Sequence, residues 1–172
     1  IYDVRTGKSL FSESESRYFA PAISNNGSSI VAVENTPENQ NYLVFLDPEN
    51  LTVLKRIPIP GNSYPQRPQW SCNDEAVIVI LLSDCGESIF IYSISDDEWT
   101  CLIDPSYNDL KEAVVRNDSL FFISSAGGTD NLFLRTPGGE IQRLSNSRYG
   151  TGSFCLNGNN IVFTDYDQDG YF

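Results

Sequence analysis

Short runs of apolar residues alternate with polar turn residues along the whole chain. No convincing 3.6-residue apolar period, the mark of an amphipathic helix, accompanies them. Asn, Asp, Gly or Pro stands at every junction, as is typical of turns between strands. The pattern therefore predicts an all-β protein made of short antiparallel strands. The clearest apolar runs are residues 30–33, 77–82, 120–123 and 161–163.

These runs belong to a sequence repeat. An apolar residue, a polar turn and an apolar run follow one another four times, with starting residues 47, 45 and 39 positions apart. A strand, a tight turn and a second strand follow at a regular offset, with equivalent positions 44, 46 and 42 residues apart. Two independent markers thus share a period of about 43 residues, which predicts repeats of four strands each. The starting residues are Ile23, Trp70, Val115 and Phe154, and the second marker is Asp3, Asp47, Ser93 and Arg135.

The character of each strand predicts how the repeats pack. The middle strands are apolar throughout, which indicates that neighbouring sheets cover both of their faces. The fourth strand is more polar, as in residues 52–56, and suits an outer edge. The first strand carries Pro21 or Pro68, and proline is tolerated chiefly on edge strands. This combination predicts a β-propeller with four-stranded antiparallel blades.

The repeats predict three complete blades and two partial blades that complement each other. Two arrangements remain open: the partial blades pair to close a four-bladed ring, or the chain is a stretch of a larger propeller. The sequence begins with Ile1 and contains no Met, which favours a segment of a longer protein. We therefore expect the larger propeller. The expected blades are residues 1–14 (partial), 17–59, 63–104, 108–146 and 148–172 (partial).

Composition narrows the possible functions. The chain has 11 Lys and Arg against 23 Asp and Glu, a net charge of −12, and a phosphate backbone would repel such a surface. We therefore expect no nucleic-acid partner. With no His, this chain cannot supply a Ser-His-Asp triad, and it contains no G-x-S-x-G motif. We therefore expect a protein that is not an enzyme. The sequence contains no run of 18 apolar residues, so we also expect no membrane span.

Four cysteines could in principle form a zinc site, but their spacing gives little support to one. Cys72, Cys85, Cys101 and Cys155 include no C-x-x-C pair, the usual signature of a thiolate zinc site. We expect small buried or half-buried thiols instead.

Several motifs resemble those of TolB-like propeller repeats. Residues 24–33 (SNNGSSIVAV) resemble the core of that repeat, and residues 164–172 and 124–134 are similar to the hairpin that follows it. Residues 2–8 are similar to its D-x-x-T-G-k turn. One departure is Cys72, where the family has proline. The resemblance covers nearly the whole chain.

That resemblance implies a non-catalytic module that binds a protein or peptide, in the periplasm or outside the cell. The same type of propeller also occurs in prolyl-oligopeptidase-like and tricorn-like peptidases. The alternative is therefore an accessory, substrate-gating propeller of a serine peptidase whose catalytic domain lies outside this chain. Neither use implies a cofactor. A sugar-active propeller would need clustered carboxylates facing the channel, and Glu112 is the only clear one on an inner strand.

Propeller topology places the connections between blades on the same face as the hairpins joining second and third strands. Arginine and aromatic side chains there are plausible anchors for a partner, although the tyrosines could also pack between blades. The candidate partner-binding residues are Arg17, Tyr18, Tyr64, Arg67, Arg148 and Tyr149. The carboxylates expected on the same face are Asp84, Glu87, Asp130, Asp165, Asp167 and Asp169.

Three of these carboxylates form a pattern of their own. Asp165, Asp167 and Asp169 alternate ahead of Gly170, like the first half of a calcium-binding loop. The distal Glu of such a loop is missing, and in TolB-like repeats similar residues form a polar hairpin. A weak calcium site is thus a hypothesis, and the hairpin is favoured.

Overall fold

In the computed structural model, residues 4–8 and 16–171 are described, apart from the side chains of Asp167 and Tyr171. These residues form sixteen strands and one 3-10 turn, Pro60–Asn62, with no α-helix among them. Nothing in this described part is a helix long and apolar enough to cross a membrane. The all-β prediction is confirmed. Most of the first predicted partial blade, residues 1–14, lies outside the described residues.

The strands form four antiparallel sheets that follow one another along the chain. In each sheet the strand order is the order of the sequence, and consecutive strands pair, except that β5 and β6 of the second sheet both pair with β7. The first sheet contains β1 (Arg17–Ile23), β2 (Ile30–Asn35), β3 (Asn41–Leu46) and β4 (Val53–Pro58). The second contains β5 (Tyr64–Pro65), β6 (Gln69–Trp70), β7 (Ala76–Ser83), β8 (Gly86–Ser93) and β9 (Glu98–Ser106). The third contains β10 (Leu110–Arg116), β11 (Ser119–Ser124), β12 (Asn131–Arg135) and β13 (Ile141–Arg143). The fourth contains β14 (Thr151–Asn157), β15 (Asn160–Asp167) and β16 (Gly170–Tyr171).

Strand β7 shows why the middle strands are apolar without a break. Val77, Val79 and Leu81 belong to the buried cluster shared with the first sheet. Ile78 and Ile80, which alternate with them, belong to the cluster shared with the third sheet. Successive side chains of a strand point to opposite faces, so this strand buries both faces at once. Each fully buried side chain of this size contributes about 1.5–3 kcal/mol.

The first strand of each sheet, its inner strand, is interrupted by one extra residue. The register shifts within β1, β10 and β14, and in the second sheet residues 66–68 separate β5 from β6, which both pair with β7. Such a bulge releases a backbone N–H from the ladder, which explains how Pro21 and Pro68 fit there. The extra positions are equivalent from sheet to sheet and are occupied by Ala20, Arg67, Glu112 and Ser153.

One predicted equivalence is wrong by two residues. The repeat pattern aligned Phe154 with Ile23, which pairs with Ile30. In the fourth sheet, however, it is Leu156 that pairs with Ile161, and Phe154 pairs with Phe163. The turn is shorter because Gly158, with φ of 58°, lets the chain reverse tightly between strands.

Candidate partner-binding face

Hydrogen bonds join the connections between sheets to the hairpins between second and third strands. The Asn41 side-chain amide donates to the carbonyl oxygens of Asn62 and Ser63, both at 3.2 Å. The Tyr107 hydroxyl donates to the carbonyl oxygen of Asp84 at 3.1 Å. These segments therefore share one surface, here called the connection face. It consists of residues 36–41, 59–64, 84–87, 106–110, 125–131 and 144–151, with residues 16–19 at the start of β1.

Two of the predicted anchors meet through a residue that the sequence analysis did not select. The Arg17 guanidinium carbon lies 5.5 Å from the centre of the Phe19 ring. That ring stacks on Tyr64, with centroids 5.9 Å apart and planes at 15°. Tyr64 remains 53% exposed, so the stack crosses from the first sheet to the second without being buried by it. A sequence signal for Phe19 exists, because it is an aromatic residue directly after the candidates Arg17 and Tyr18.

The other four candidates lie elsewhere. Arg148 and Tyr149 form a local pair before the fourth sheet, with the guanidinium carbon 5.4 Å from the ring centre, and both are exposed. Tyr18 is half-buried. Arg67 lies at the bulge of the second sheet. The six candidates thus do not form one cluster: Arg17 and Tyr64 join through Phe19, and Arg148 and Tyr149 form a separate pair.

Two predicted acidic residues of the connection face clamp adjacent sheets together. The Glu87 carboxylate accepts from the Gln66 side-chain amide at 2.6 Å and from the Leu110 backbone N–H at 2.5 Å. The Asp130 carboxylate binds the Lys111 ammonium at 2.5 Å, and its carbonyl oxygen accepts from the Thr151 N–H at 2.8 Å. A sequence signal exists: Asn41, Glu87 and Asp130 are polar residues within one position of the start of a third strand.

A cleft of about 260 Å³ lies between the inner strands of the second and third sheets. Arg67, Lys111 and Glu112 line it, together with buried apolar residues such as Ile80. Glu112 accepts a hydrogen bond from the Phe154 N–H of the fourth sheet at 3.1 Å. Because Glu112 itself has a φ of 40°, its backbone is held in a region unfavourable for a residue other than glycine.

A second hollow, of about 410 Å³, lies at the opposite ends of the first and second sheets and is lined in part by Phe45, Trp70 and Tyr92. The Phe45 ring meets the Trp70 ring edge-on at 5.6 Å and the Tyr92 ring at 6.0 Å. The Lys55 ammonium lies 2.8 Å from the Asp97 carboxylate, which also accepts from the Tyr92 hydroxyl. Burial and then this hydrogen bond raise the pKa of Tyr92 above its ordinary value.

Asp74, at the rim of this hollow, joins the first and second sheets. One carboxylate oxygen accepts from the backbone and side-chain amides of Asn25, both at 2.7 Å, and the other accepts from the Asn26 N–H at 2.9 Å. Burial alone would raise the pKa of Asp74, but these donors outweigh it and hold the pKa below its ordinary value.

The calcium hypothesis stays a prediction. The Asp165 carboxylate accepts from the Tyr166 N–H at 2.8 Å, and the side chain of Asp167 is not among those described. Among the residues that were described, no group of three or more His, Cys, Asp or Glu side chains is placed to hold a metal ion.

The prediction of buried or half-buried thiols is wrong for three cysteines. Cys72, Cys85 and Cys155 are exposed, and only Cys101 is half-buried. All four thiols are free. Burial, the nearby Asp104 carboxylate and a hydrogen bond to it raise the pKa of the Cys101 thiol. Cys72 and Cys85 lie in turns, and Cys155 is an exposed residue of β14 in the fourth sheet. The pattern of apolar residues along the sequence does not reveal the exposure of any of the three.

No protein-family model matches this sequence, and no curated protein matches it. Solved structures do. The chain is similar to TolB from Acinetobacter baumannii, with 17% identity over 96% of this chain and 42% of that one, and a TM-score of 0.71. It is similar to a putative TolB from Agrobacterium tumefaciens, with 21% identity over 87% of this chain and 55% of that one, and a TM-score of 0.66.

A peptidase structure is also similar. Dipeptidyl peptidase 4 from Porphyromonas gingivalis has 13% identity over 96% of this chain and 25% of its own length, with a TM-score of 0.68. The chain therefore spans about half or less of the TolB structures and a quarter of this peptidase. At these identities the comparisons establish the fold, and the predicted TolB-like propeller fold is confirmed.

Proposed function

We propose that this chain is part of a β-propeller that binds a protein or peptide and catalyses no reaction. The carrying observation is the stack of Arg17, Phe19 and Tyr64 on the connection face. Arginine and tyrosine are enriched among the residues that dominate binding energy, and an anchor already packed in place loses little freedom when a partner arrives. The net charge of −12 favours a partner with basic residues around the contact.

In this proposal each sheet is one blade, and the ring is larger than this chain. The first three sheets are complete blades, and the fourth, with β16 only two residues long, is partial. The similarity to TolB structures of about twice this length supports the larger ring. Resemblance to TolB also supports a periplasmic location.

A second function has an observation in its favour. The likeness to Porphyromonas gingivalis dipeptidyl peptidase 4 is nearly as strong as the likeness to TolB, with a TM-score of 0.68. The chain would then be the accessory propeller of a serine peptidase. The parent gene separates the two: a hydrolase sequence with a G-x-S-x-G motif beside these repeats supports the peptidase, and further repeats alone support the binding module.

The binding proposal is tested by selecting peptides from a phage-displayed random library on the immobilised chain. The affinity of a selected synthetic peptide is then measured by fluorescence anisotropy. We expect Y64A and R17Q to weaken binding by roughly tenfold or more, as anchor residues do. L54A is the control, because Leu54 is 58% exposed and lies outside the connection face. A library that yields no peptide, or a peptide that binds Y64A as well as the wild type, contradicts the proposal.

A further inference from the structure

We propose that the cleft between the inner strands of the second and third sheets binds a carboxylate carried on a short apolar peptide segment, with Arg67 as its anchor. This inference rests on the proposed function and specifies the ligand chemistry of one site within it.

Arg67 is placed in the cleft by a rigid stretch of chain. Pro65 and Pro68 flank it and are both buried, which fixes the backbone on either side. The equivalent bulge positions hold Ala20, Glu112 and Ser153, so the repeat itself does not demand arginine here. Arg67 is therefore free to serve a purpose other than forming the bulge.

The charge of Arg67 is unneutralised within the described part of the chain. No ion pair or hydrogen bond involving it is found there, although a guanidinium carries five N–H donors. This is notable in a protein with a net charge of −12. Its side chain is exposed and lines the cleft, so an incoming anion can reach it.

Three polar side chains that line the cleft beside Arg67 already have partners on the protein. The Lys111 ammonium is paired with Asp130 at 2.5 Å. Glu112 accepts from the Phe154 N–H, and the Gln66 amide donates to Glu87. The remaining cation is therefore Arg67, and the negative charge of Glu112 directs an anion towards the Arg67 side of the cleft.

The cleft floor selects the kind of anion. It is formed by Ile78, Ile80, Leu110 and Ala113, all buried members of the cluster between the second and third sheets. An apolar floor beside one fork of donors suits a carboxylate with an apolar stem, because guanidinium and carboxylate pair in a planar, two-bonded geometry. The cleft has a volume of about 260 Å³, just below the range of sites that hold drug-sized ligands. A space of this size fits one end or one turn of a peptide.

The carboxylate has two possible sources, a peptide C-terminus and an Asp or Glu side chain. Three probes separate them: acetyl-Ala-Leu with a free carboxylate, acetyl-Asp-Leu-amide with a side-chain carboxylate, and acetyl-Ala-Leu-amide with none. Binding at millimolar concentrations is followed by amide chemical shifts of the 15N-labelled chain. Wild type, R67Q and R67K are compared, with R143Q as the control, because Arg143 is an exposed arginine at the end of β13 that donates to the Ser145 carbonyl oxygen and lies outside the connection face.

We expect at least one carboxylate probe to shift the amides around residues 66–69 and 110–113, and the blocked probe to leave them unchanged. R67Q should weaken that binding on the order of tenfold or more, because it removes a charge-assisted pair. R67K should retain part of it, and R143Q all of it. The inference is overturned if no probe binds, if the blocked probe binds equally well, or if R67Q binds like the wild type. The library-selected peptide is measured on the same samples, so that a failure of this site is distinguished from a failure of peptide binding altogether.

Discussion

Asp74 and Asn25 lie 49 residues apart in the sequence, yet the Asp74 carboxylate accepts both the backbone and the side-chain amide of Asn25 at 2.7 Å. Asn25 lies in the turn between β1 and β2 of the first sheet, and Asp74 lies in the equivalent turn between β6 and β7 of the second. The same kind of turn thus supplies the donors in one repeat and the acceptor in the next. The contact therefore requires the two sheets to be adjacent, and removing it tests how much their packing contributes to stability.

This contact predicts a loss of stability in acid. The folded-state pKa of Asp74 is below its ordinary value of 3.8, so its stabilising effect is present above about pH 4 and is lost as the pH falls through the depressed value. We expect D74N to be less stable than the wild type at pH 6, and the difference to shrink towards pH 2. Urea denaturation at a series of pH values measures this. A difference that does not change with pH would contradict it, since Asp97, whose pKa Lys55 and Tyr92 lower, titrates in both proteins.

Removing the Glu87 clamp should destabilise the junction of the second and third sheets. In E87A the Leu110 N–H loses its acceptor while Leu110 stays buried, and a buried unsatisfied donor costs about 1–3 kcal/mol. E140A is the control, because Glu140 lies exposed in a turn before β13. Chemical denaturation should show a lower midpoint for E87A alone. Equal midpoints for the two variants would show that the clamp does not stabilise the fold.

Gly86 is required by a close approach of the backbone as well as by its own conformation. It has a φ of 103°, and a Cβ there would lie 2.1 Å from the Ser106 carbonyl oxygen. We expect G86A to lose about 3 kcal/mol or more in the free energy of unfolding, from strain and from displacement of the chain. Gly128, with φ of 92° and open space around it, isolates the conformational part, so G128A should lose less. Thermal melts of both variants compare the two contributions, and similar losses would rule out the steric one.

Truncating Ile78 should weaken the contact between the second and third sheets. The side chain is 1% exposed, and an Ile-to-Ala change in a packed core costs about 2–5 kcal/mol. L54A removes a comparable side chain that is 58% exposed, and should change stability by less than about 0.5 kcal/mol. The comparison uses urea midpoints. If I78A were as stable as L54A, the cluster between these sheets would not contribute to folding.

Much of the fold could be predicted from the sequence because its signals are local and repeated. The unbroken apolar run of β7 and the polar turn residues gave the strands, and the common period gave the repeat. The position of Phe154 was misjudged because two turn lengths give similar letter patterns, and only strand pairing tells them apart. The exposure of Cys72 depends on the turn around it, which has no apolar periodicity.

The candidate site was less predictable, since it depends on contacts between repeats. Sequence reasoning identified Arg17 and Tyr64 separately, but not Phe19 as the ring between them. It placed Glu87 on a binding face, where the structure shows it holding two sheets together. A carboxylate that binds its own protein and one that awaits a partner look the same in a sequence. Only the positions of nearby donors distinguish them.

The consecutive strand order has a consequence for how the chain folds. Every hairpin joins strands that are close in sequence, and the clusters between sheets join one repeat to the next. The hairpin contacts within a repeat are formed at small entropic cost, so folding can start in any one repeat and spread to its neighbours. Intermediates should then contain whole numbers of repeats, and the order in which amides become protected from hydrogen exchange should follow the boundaries between sheets.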